Sequence, residues 1–219
     1  MSNRNMCKLI AGAALLCTAS SAALAAAPTT ATIISNEDVQ KVLKLGPKAT
    51  DHTIRVVDMG QDYQMSVAVV HRGTTHTPPR PPSAAAAAAA QQPACGLAAA
   101  PAGAKAGPSG MLAHDSTAET YYVISGAGTL VTGGKILQGR QSAPDAEVTT
   151  TLNGPTCSGK AVGNFVMTPM KVGDIAVIPA GVPHGWSDIP TEVTYLSVRP
   201  DPKHVLPKAP FIYPGLAAK

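Results

Sequence analysis

The sequence has few charged and few aromatic residues, and each shortage argues against a class of protein. Only 14% of its 219 residues are charged, and the formal net charge is +4 at pH 7. No basic run with interleaved aromatic residues occurs, which argues against a nucleic-acid-binding protein. Two Phe against 20 Gly and 20 Pro favour many turns and short strands over a helix bundle. The 45% of apolar residues suit one core-bearing domain with excursions.

Long apolar runs are also scarce. The run over residues 9–16 follows Arg4 and Lys8 and leads into small residues that end at Ala25. This pattern predicts a secretory signal peptide over residues 1–25, because the run is too short to span a bilayer comfortably. We therefore predict a periplasmic or secreted protein whose mature form has no transmembrane segment.

Cysteine is rare as well, with four in the whole chain. Removal of the signal peptide leaves only Cys95 and Cys157. Neither belongs to a CxxC motif, which argues against redox catalysis. In an oxidising compartment a pair of cysteines is more often bridged than free, so we predict a disulfide between these two.

The remaining chain reads as a short helix followed by many strands. Ser35 and Asp38 form a capping pattern that predicts a helix over residues 36–45, within an N-terminal arm over 26–50. Strand-like segments punctuated by Gly and Pro predict an antiparallel sandwich or barrel over 51–205, with a tail over 206–219. These segments are 54–59, 63–71, 120–125, 128–132, 164–168, 174–178 and 192–199.

Two stretches interrupt the strand pattern. Residues 77–109 are rich in Pro and Ala and carry almost no branched or aromatic residue to bury. We predict a surface insertion there, in which the seven alanines at 84–90 form at most a short, marginal helix. A second, polar excursion is expected at 138–161.

The segment GDIAVIPAGVPHGWSD, residues 173–188, carries a spaced set of Gly, Pro and His. Gly173, Pro179, Gly181 and His184 are separated by five, one and two residues. This spacing resembles the second motif of the cupin superfamily, which ends three residues later on Asn. Here Asp188 occupies that last position.

The segment HDSTAETYYVISGAG, residues 114–128, resembles the first cupin motif. His114, Glu119 and Gly126 match its second His, its Glu and its Gly, whereas Leu112 occupies the position of its first His. The resemblance covers roughly residues 52–200. It implies an all-β fold, the double-stranded β-helix or cupin jelly-roll barrel, here with a short N-terminal helix and two loop insertions.

The residue types independently suit a metal site. His114 and Glu119 would face opposite sides of one strand, but the turn-forming residues between them favour two strands with facing inner sides. His184, after a rigid Pro/Gly turn, supplies a third group. Two imidazoles and one carboxylate suit a divalent Fe, Mn, Zn, Ni or Cu ion and leave positions open for a small molecule. Leu112 removes a fourth ligand.

Three further side chains are expected near this set. Tyr121 has the inward parity of Glu119, so it contacts substrate or packs in the core, and it is the sole candidate for a catalytic role. Trp186 either lids the barrel mouth or packs normally. Asp188 either orients His184 through a hydrogen bond or caps the following turn.

These observations predict an exported single-domain cupin that binds one metal ion and a small organic molecule. The resemblance implies a dioxygenase, a decarboxylase or an isomerase. Because Leu112 replaces one ligand, a metal-free binding or structural cupin is an alternative. The Pro/Ala insertion leaves a third alternative, an envelope protein that uses the insertion as an interaction arm.

His71 and His76 either replace the missing ligand or lie in a solvated loop. An unpaired sheet edge suggests a homodimer.

Overall fold

The computed structural model describes residues 29–45, 50–60, 63–77 and 84–216. The predicted signal peptide lies outside these residues. Within the described ranges, no helix combines the length and the apolar character needed to cross a membrane.

The described chain is mostly β-structure with two α-helices and one π-helical turn. The strands that match the predicted segments are all present, most of them longer than predicted. The elements are α1 Asn36–Leu45, β1 Asp51–Gly60, β2 Tyr63–Gly73, α2 Ala84–Ala90, β3 Ala94–Cys95, β4 Ala106–His114, β5 Glu119–Gln141, the π-helical turn Val148–Leu152, β6 Thr156–Lys171, β7 Ile175–Ile178, β8 His184–Asp188, β9 Glu192–Asp201 and β10 Phe211–Ile212.

The strands form two antiparallel sheets that share strand β5. The first sheet has the order β10-β1-β2-β9-β5-β7, and the second joins β4, β6 and β8 to the later part of β5. Inward side chains from both sheets, such as Tyr195 and Leu130, pack in one buried cluster. This arrangement confirms the predicted double-stranded β-helix, in which two sheets enclose a common interior.

Strand β5 passes from one sheet to the other at Gly126. It pairs with β9 up to Gly126 and with β6 from Ala127 onward. Gly126 has a φ of +68°, and a Cβ atom there would lie 2.0 Å from the carbonyl oxygen of Glu192. Only glycine fits this corner without strain.

Helix α1 begins and ends where the capping pattern predicts. The amide of Asp38 donates to Ser35 Oγ at 3.2 Å, and the amide of Ser35 donates to Asp38 Oδ2 at 3.3 Å. Val39 and Val42 are buried against Ile54 of β1 in a cluster on the first sheet. The helix therefore covers part of that sheet with its apolar side.

Strands β5 and β6 extend far into the predicted second excursion. Their pairing runs through Gln141 and Cys157, so only residues 142–155 remain outside the ladder. Ile136 of β5 and Phe165 of β6 pack with Met111 of β4 in a buried apolar cluster, and this contact stabilises the paired hairpin. The first excursion contains α2 and β3, and strand β4 begins before it ends.

The predicted disulfide is present. Cys95 of β3 is bonded to Cys157 of β6, with a Cα–Cα distance of 6.0 Å. The bond ties the Pro/Ala-rich excursion to the long hairpin, and Cys157 is itself part of a buried apolar cluster.

Candidate metal site

The structure brings His114, Glu119 and His184 together inside the barrel. His114 ends β4, Glu119 begins β5 and His184 begins β8. Glu119 Oε2 lies 3.2 Å from His114 Nε2 and 3.0 Å from His184 Nε2. All three side chains are buried, with exposures of 2–4%.

A short turn positions His184. The turn between β7 and β8 contains Gly181, whose φ of +77° favours glycine. The Gly181 amide donates to the carbonyl of His114 at 2.8 Å, and the Val182 amide donates to the carbonyl of Pro179 at 3.2 Å. The turn is thus bonded directly to the strand that carries the first histidine.

Each imidazole is oriented through its Nδ1 atom. His184 Nδ1 donates to the carbonyl of Val182 at 2.9 Å. Thr156 Oγ1 donates its one hydrogen to the carbonyl of Gly154 at 2.9 Å, so it accepts from His114 Nδ1 at 2.8 Å. In both rings Nδ1 carries a proton, and Nε2 faces the centre.

Hydrogen-bond donors surround the Glu119 carboxylate on the side away from the histidines. Oε1 accepts from Asn153 Nδ2 at 3.0 Å, Ser197 Oγ at 2.8 Å and Arg199 Nε at 3.0 Å. Oε2 accepts from Tyr121 OH at 2.9 Å. The carboxylate is therefore fixed in position, with Oε2 aimed at both imidazoles.

Electrostatics keep this carboxylate ionised. Burial is the largest single influence and would raise the pKa of Glu119, but the charge of Arg199 and the contacts with His114 and His184 together outweigh it and hold the pKa well below its ordinary value. Arg199 is itself 1% exposed, and its NH2 group lies 2.5 Å from Asp51 Oδ2. Burial lowers the pKa of Arg199, yet the carboxylates of Asp51 and Glu119 raise it on balance.

Burial also sets the ionisation of the neighbouring groups. It lowers the pKa of His114, which favours the neutral imidazole that a metal requires. It raises the pKa of Tyr121, with the charge of Glu119 acting in the same direction. Tyr121 therefore stays protonated and donates to Glu119, consistent with its inward orientation.

The donor set fits a metal cation. Three lone-pair acceptors, His114 Nε2, His184 Nε2 and Glu119 Oε2, lie within 4.8 Å of one another. His184 Nε2 is buried and has no hydrogen-bond partner among the described residues. Two ligands about 2.1 Å from one ion at right angles lie about 3.0 Å apart, close to the carboxylate–imidazole separations. The cluster is compatible with a metal site.

Leu112 faces this cluster at the position of the absent histidine. It is the register partner of His184 and lies two residues before His114, so the two share a strand face. Neither of the other candidate ligands takes its place. His71 Nδ1 lies 2.9 Å from Thr194 Oγ1 and His76 Nε2 lies 2.6 Å from Asp188 Oδ1, and both histidines are exposed.

The first of the two roles predicted for Asp188, a hydrogen bond to His184, is not formed. Asp188 is at the exposed end of β8 and pairs with His76, while His184 Nδ1 bonds to Val182. Side chains four positions apart on a strand lie too far apart for a direct bond. The carbonyl of Val182 orients the imidazole instead.

Trp186 packs in the barrel interior. Its ring centroid is 5.6 Å from that of Tyr195, which lies 4.3 Å from the ring of Tyr121. The Tyr121 ring in turn lies 6.1 Å from His184. A line of aromatic side chains therefore leads away from the three converging groups.

A groove of about 570 Å³ lies between strands β6 and β7. Leu130, Ile178 and Val182 form part of its wall. Ile178 is the register partner of Glu119, and Val182 accepts the hydrogen bond from His184. The groove is therefore adjacent to the cluster, whose three residues are not part of its lining.

Comparisons with solved structures find double-stranded β-helix proteins. A Klebsiella pneumoniae protein with this domain is 17% identical, covering 72% of this chain and 82% of its own, at a TM-score of 0.33. Hydroquinone 1,2-dioxygenase from Sphingomonas sp. TTNP3 is 9% identical, covering 80% and 83%, at a TM-score of 0.35. An oxalate oxidase is 14% identical, covering 70% and 52%, at 0.29. No protein-family model and no curated protein sequence matches the chain.

Sequence reasoning missed the residues that hold Glu119. Ser197 and Arg199 lie on β9 with the parity of Tyr195, so period-two alternation places all three on the inner face. A lone Arg on such a face predicts a buried ion pair with an acidic side chain, because buried cations are usually paired. Asn153 follows the π-helical turn in an irregular segment, where no periodicity predicts its orientation.

Proposed function

We propose that the protein binds one divalent transition-metal ion through His114, Glu119 and His184. The observation that carries this proposal is the convergence of two Nε2 lone pairs and one ionised carboxylate, with each Nδ1 already bonded elsewhere. Without a cation, and with both imidazoles neutral, Glu119 Oε2 would face two acceptor nitrogens at 3.2 and 3.0 Å. Such a buried arrangement is unfavourable unless a positive charge compensates it.

The proposed role is the binding of a small organic molecule beside the metal, with dioxygenase, decarboxylase or isomerase chemistry. A bound metal would supply Lewis acidity or O2 activation at this site. Tyr121 OH donates to Glu119 Oε2 over an oxygen–oxygen distance of 2.9 Å and keeps the carboxylate aligned. Leu130 and Ile178 give the adjacent groove an apolar wall that favours an uncharged molecular body.

We further propose that the protein is exported, as the residues before Ala25 predict. The disulfide between Cys95 and Cys157 is compatible with an oxidising compartment. The proposed homodimer, suggested by a free sheet edge, is testable by light scattering during size-exclusion chromatography.

Titration of metal-free protein with Co(II), followed by calorimetry and visible absorption, tests the metal proposal. We expect about one ion per chain in the wild type, loss of binding in His184→Ala, and wild-type binding in His76→Ala. The second variant is the matched control, because His76 is exposed and paired with Asp188. Equal Co(II) binding by both variants would place the ion elsewhere.

A metal-free binding protein is the second candidate. Arg199 already supplies a positive charge to Glu119 at 3.0 Å, and Leu112 stands where a fourth ligand would lie. If the wild type takes up no metal but a small organic molecule still changes Trp186 fluorescence, this second candidate is favoured.

A further inference from the structure

Strand β7 lies at the edge of the first sheet and carries an apolar outer side. Among the strands that the structure describes, it pairs only with β5, so its other edge has no partner strand. Ile175 and Val177 are 64% and 73% exposed, whereas Ile178 is buried. Edge strands are usually protected from other chains by a charge, a proline or a bulge. Strand β7 has none of these three, since its residues are Ile, Ala, Val and Ile and its register with β5 is unbroken.

The apolar side of β7 continues across the outer face of the first sheet. Ile175 lies beside Tyr122 of β5, which is 44% exposed, and Tyr122 lies beside Leu196 of β9. Leu196 is the member of this row that packs against the apolar cluster of helix α1, so the helix leaves Tyr122 and Ile175 open. Two rows of register partners form what we call the outer strip: Ile175, Tyr122 and Leu196, and Val177, Thr120 and Val198.

No charged side chain belongs to the outer strip, and the charges beside it balance. Lys171 and Asp174 precede β7, and Lys171 Nζ lies 3.9 Å from Asp174 Oδ1. The strip therefore offers no net charge to a nucleic acid, an acidic peptide or an anionic lipid surface. A second copy presents the same apolar strip, and contact across a twofold axis places the two strips against each other. This charge pattern favours a second copy of the chain over a charged partner.

The exposed apolar area is large enough for such a contact. Val172, in the turn between β6 and β7, adjoins the strip and is 57% exposed. Val172, Tyr122, Ile175 and Val177 each expose roughly 100 Å², and the half-buried members of the strip add roughly 100 Å² together. A twofold contact that covers this surface buries about 1,000 Å² in total, which reaches the minimum size of a specific protein–protein interface.

The outer strip shares two residues with the groove beside the candidate metal site. Ile175 and Val177 belong to both, and the groove is also lined by Ile178, the register partner of Glu119. A second copy that covers the strip therefore also covers one rim of the groove. Small molecules bind best where most of their surface is buried, so this contact would make the groove a better binding site.

We propose that the outer strip is the contact surface of a homodimer with twofold symmetry. The inference rests on the homodimer proposed above and names the residues that form it. In the dimer, Ile175 and Val177 of each chain are buried against the outer strip of the other chain. Each groove is then closed along one rim by the second chain.

Light scattering during size-exclusion chromatography of metal-free protein, over a dilution series, tests this surface. For the wild type we expect twice the mass of one chain at tens of micromolar, falling toward the mass of one chain on dilution. Val177→Lys places a charge in the strip without removing a buried side chain, since Val177 is largely exposed. Val177→Lys and Ile175→Lys should each weaken dimerisation at least about tenfold.

Met59→Lys is the matched control. Met59 of β1 is also an exposed apolar residue, and strands β2, β9 and β5 separate β1 from β7 in the sheet. We expect Met59→Lys to dimerise like the wild type. Circular dichroism checks that each variant is folded, and if Val177→Lys fails to fold, Ile175→Lys decides.

Unchanged dimerisation in both Val177→Lys and Ile175→Lys would overturn the outer strip as the interface and leave the homodimer itself in place. A wild type that is monomeric at tens of micromolar would overturn both. Neither result depends on a bound metal, so each is distinguishable from failure of the Co(II) titration, which tests the metal proposal alone.

Discussion

Arg199 is the residue whose loss should disturb the interior most, and Arg199→Met isolates its charge. The substitution keeps an unbranched apolar side chain but removes the donors to Glu119, Asp51 and the carbonyl of Leu152. Glu119 would keep Asn153 and Ser197 on Oε1 but lose its charged partner. Removing one member of a buried ion pair destabilises a protein by about 3–5 kcal/mol.

For a chain of this size, each kcal/mol corresponds to a change in Tm of about 2–4 °C, so we expect Tm to fall by about 6–20 °C. Urea unfolding of metal-free protein at pH 7, followed by Trp186 fluorescence, gives the change in unfolding free energy directly. Arg140→Met is the matched control at an exposed arginine, and we expect it to stay within about 0.5 kcal/mol of the wild type.

The pH dependence adds an independent check. The pKa of Glu119 is lowered in the folded state, so its contribution to stability is present above the unfolded pKa of about 4.3 and is lost as pH falls through the folded value. Because Arg199→Met removes much of this contribution, the stability gap to the wild type should narrow on acidification. A loss no larger than that of Arg140→Met would refute the reasoning.

Three further changes should have measurable effects. Replacing Cys95 and Cys157 by Ser opens a loop with a sequence separation of 62 and should lower the unfolding free energy by about 4 kcal/mol on loop entropy; an unchanged urea midpoint would contradict this. Leu112→His adds an imidazole beside His184 and should tighten metal binding at least about tenfold, as measured by competition with a chelator. Even substitutions of residues that only hydrogen-bond to metal ligands change metal affinity about 10- to 100-fold. Unchanged affinity would show that position 112 does not face the ion. The pKa of His114 is lowered in the folded state, so metal-free protein should lose stability as pH falls below about 6.5. His114→Gln should make Tm less dependent on pH in this range. Parallel curves of Tm against pH for the wild type and the variant would contradict this.

The fold was largely predictable because glycine, proline and strand signals are local. The capping pair of Ser35 and Asp38 located helix α1 to the residue. The bounds of strand β4 and the whole of strand β8 were not predicted. Gly107, Pro108 and Gly110 break the apolar pattern of β4, and β8 spans only His184–Asp188. Their pairing comes from the sheet around them, which a local pattern does not contain.

The three converging side chains were predictable because the motif spacing fixes their places on the strands. The residues that orient them were harder to predict, since their contacts join distant parts of the chain. Thr156 lies 42 residues from His114, and Arg199 lies 80 residues from Glu119. Of the two roles predicted for Asp188 from its motif position, the hydrogen bond to His184 is prevented by strand geometry, since the two side chains lie four positions apart on one strand.

Elemental analysis of untagged, purified protein tests the central claim most directly. We expect about one divalent transition-metal ion per chain in the wild type and in His76→Ala, and almost none in His184→Ala. Wild-type protein that contains no metal, and takes up none from Fe(II), Mn(II), Zn(II), Ni(II) or Cu(II), would contradict it.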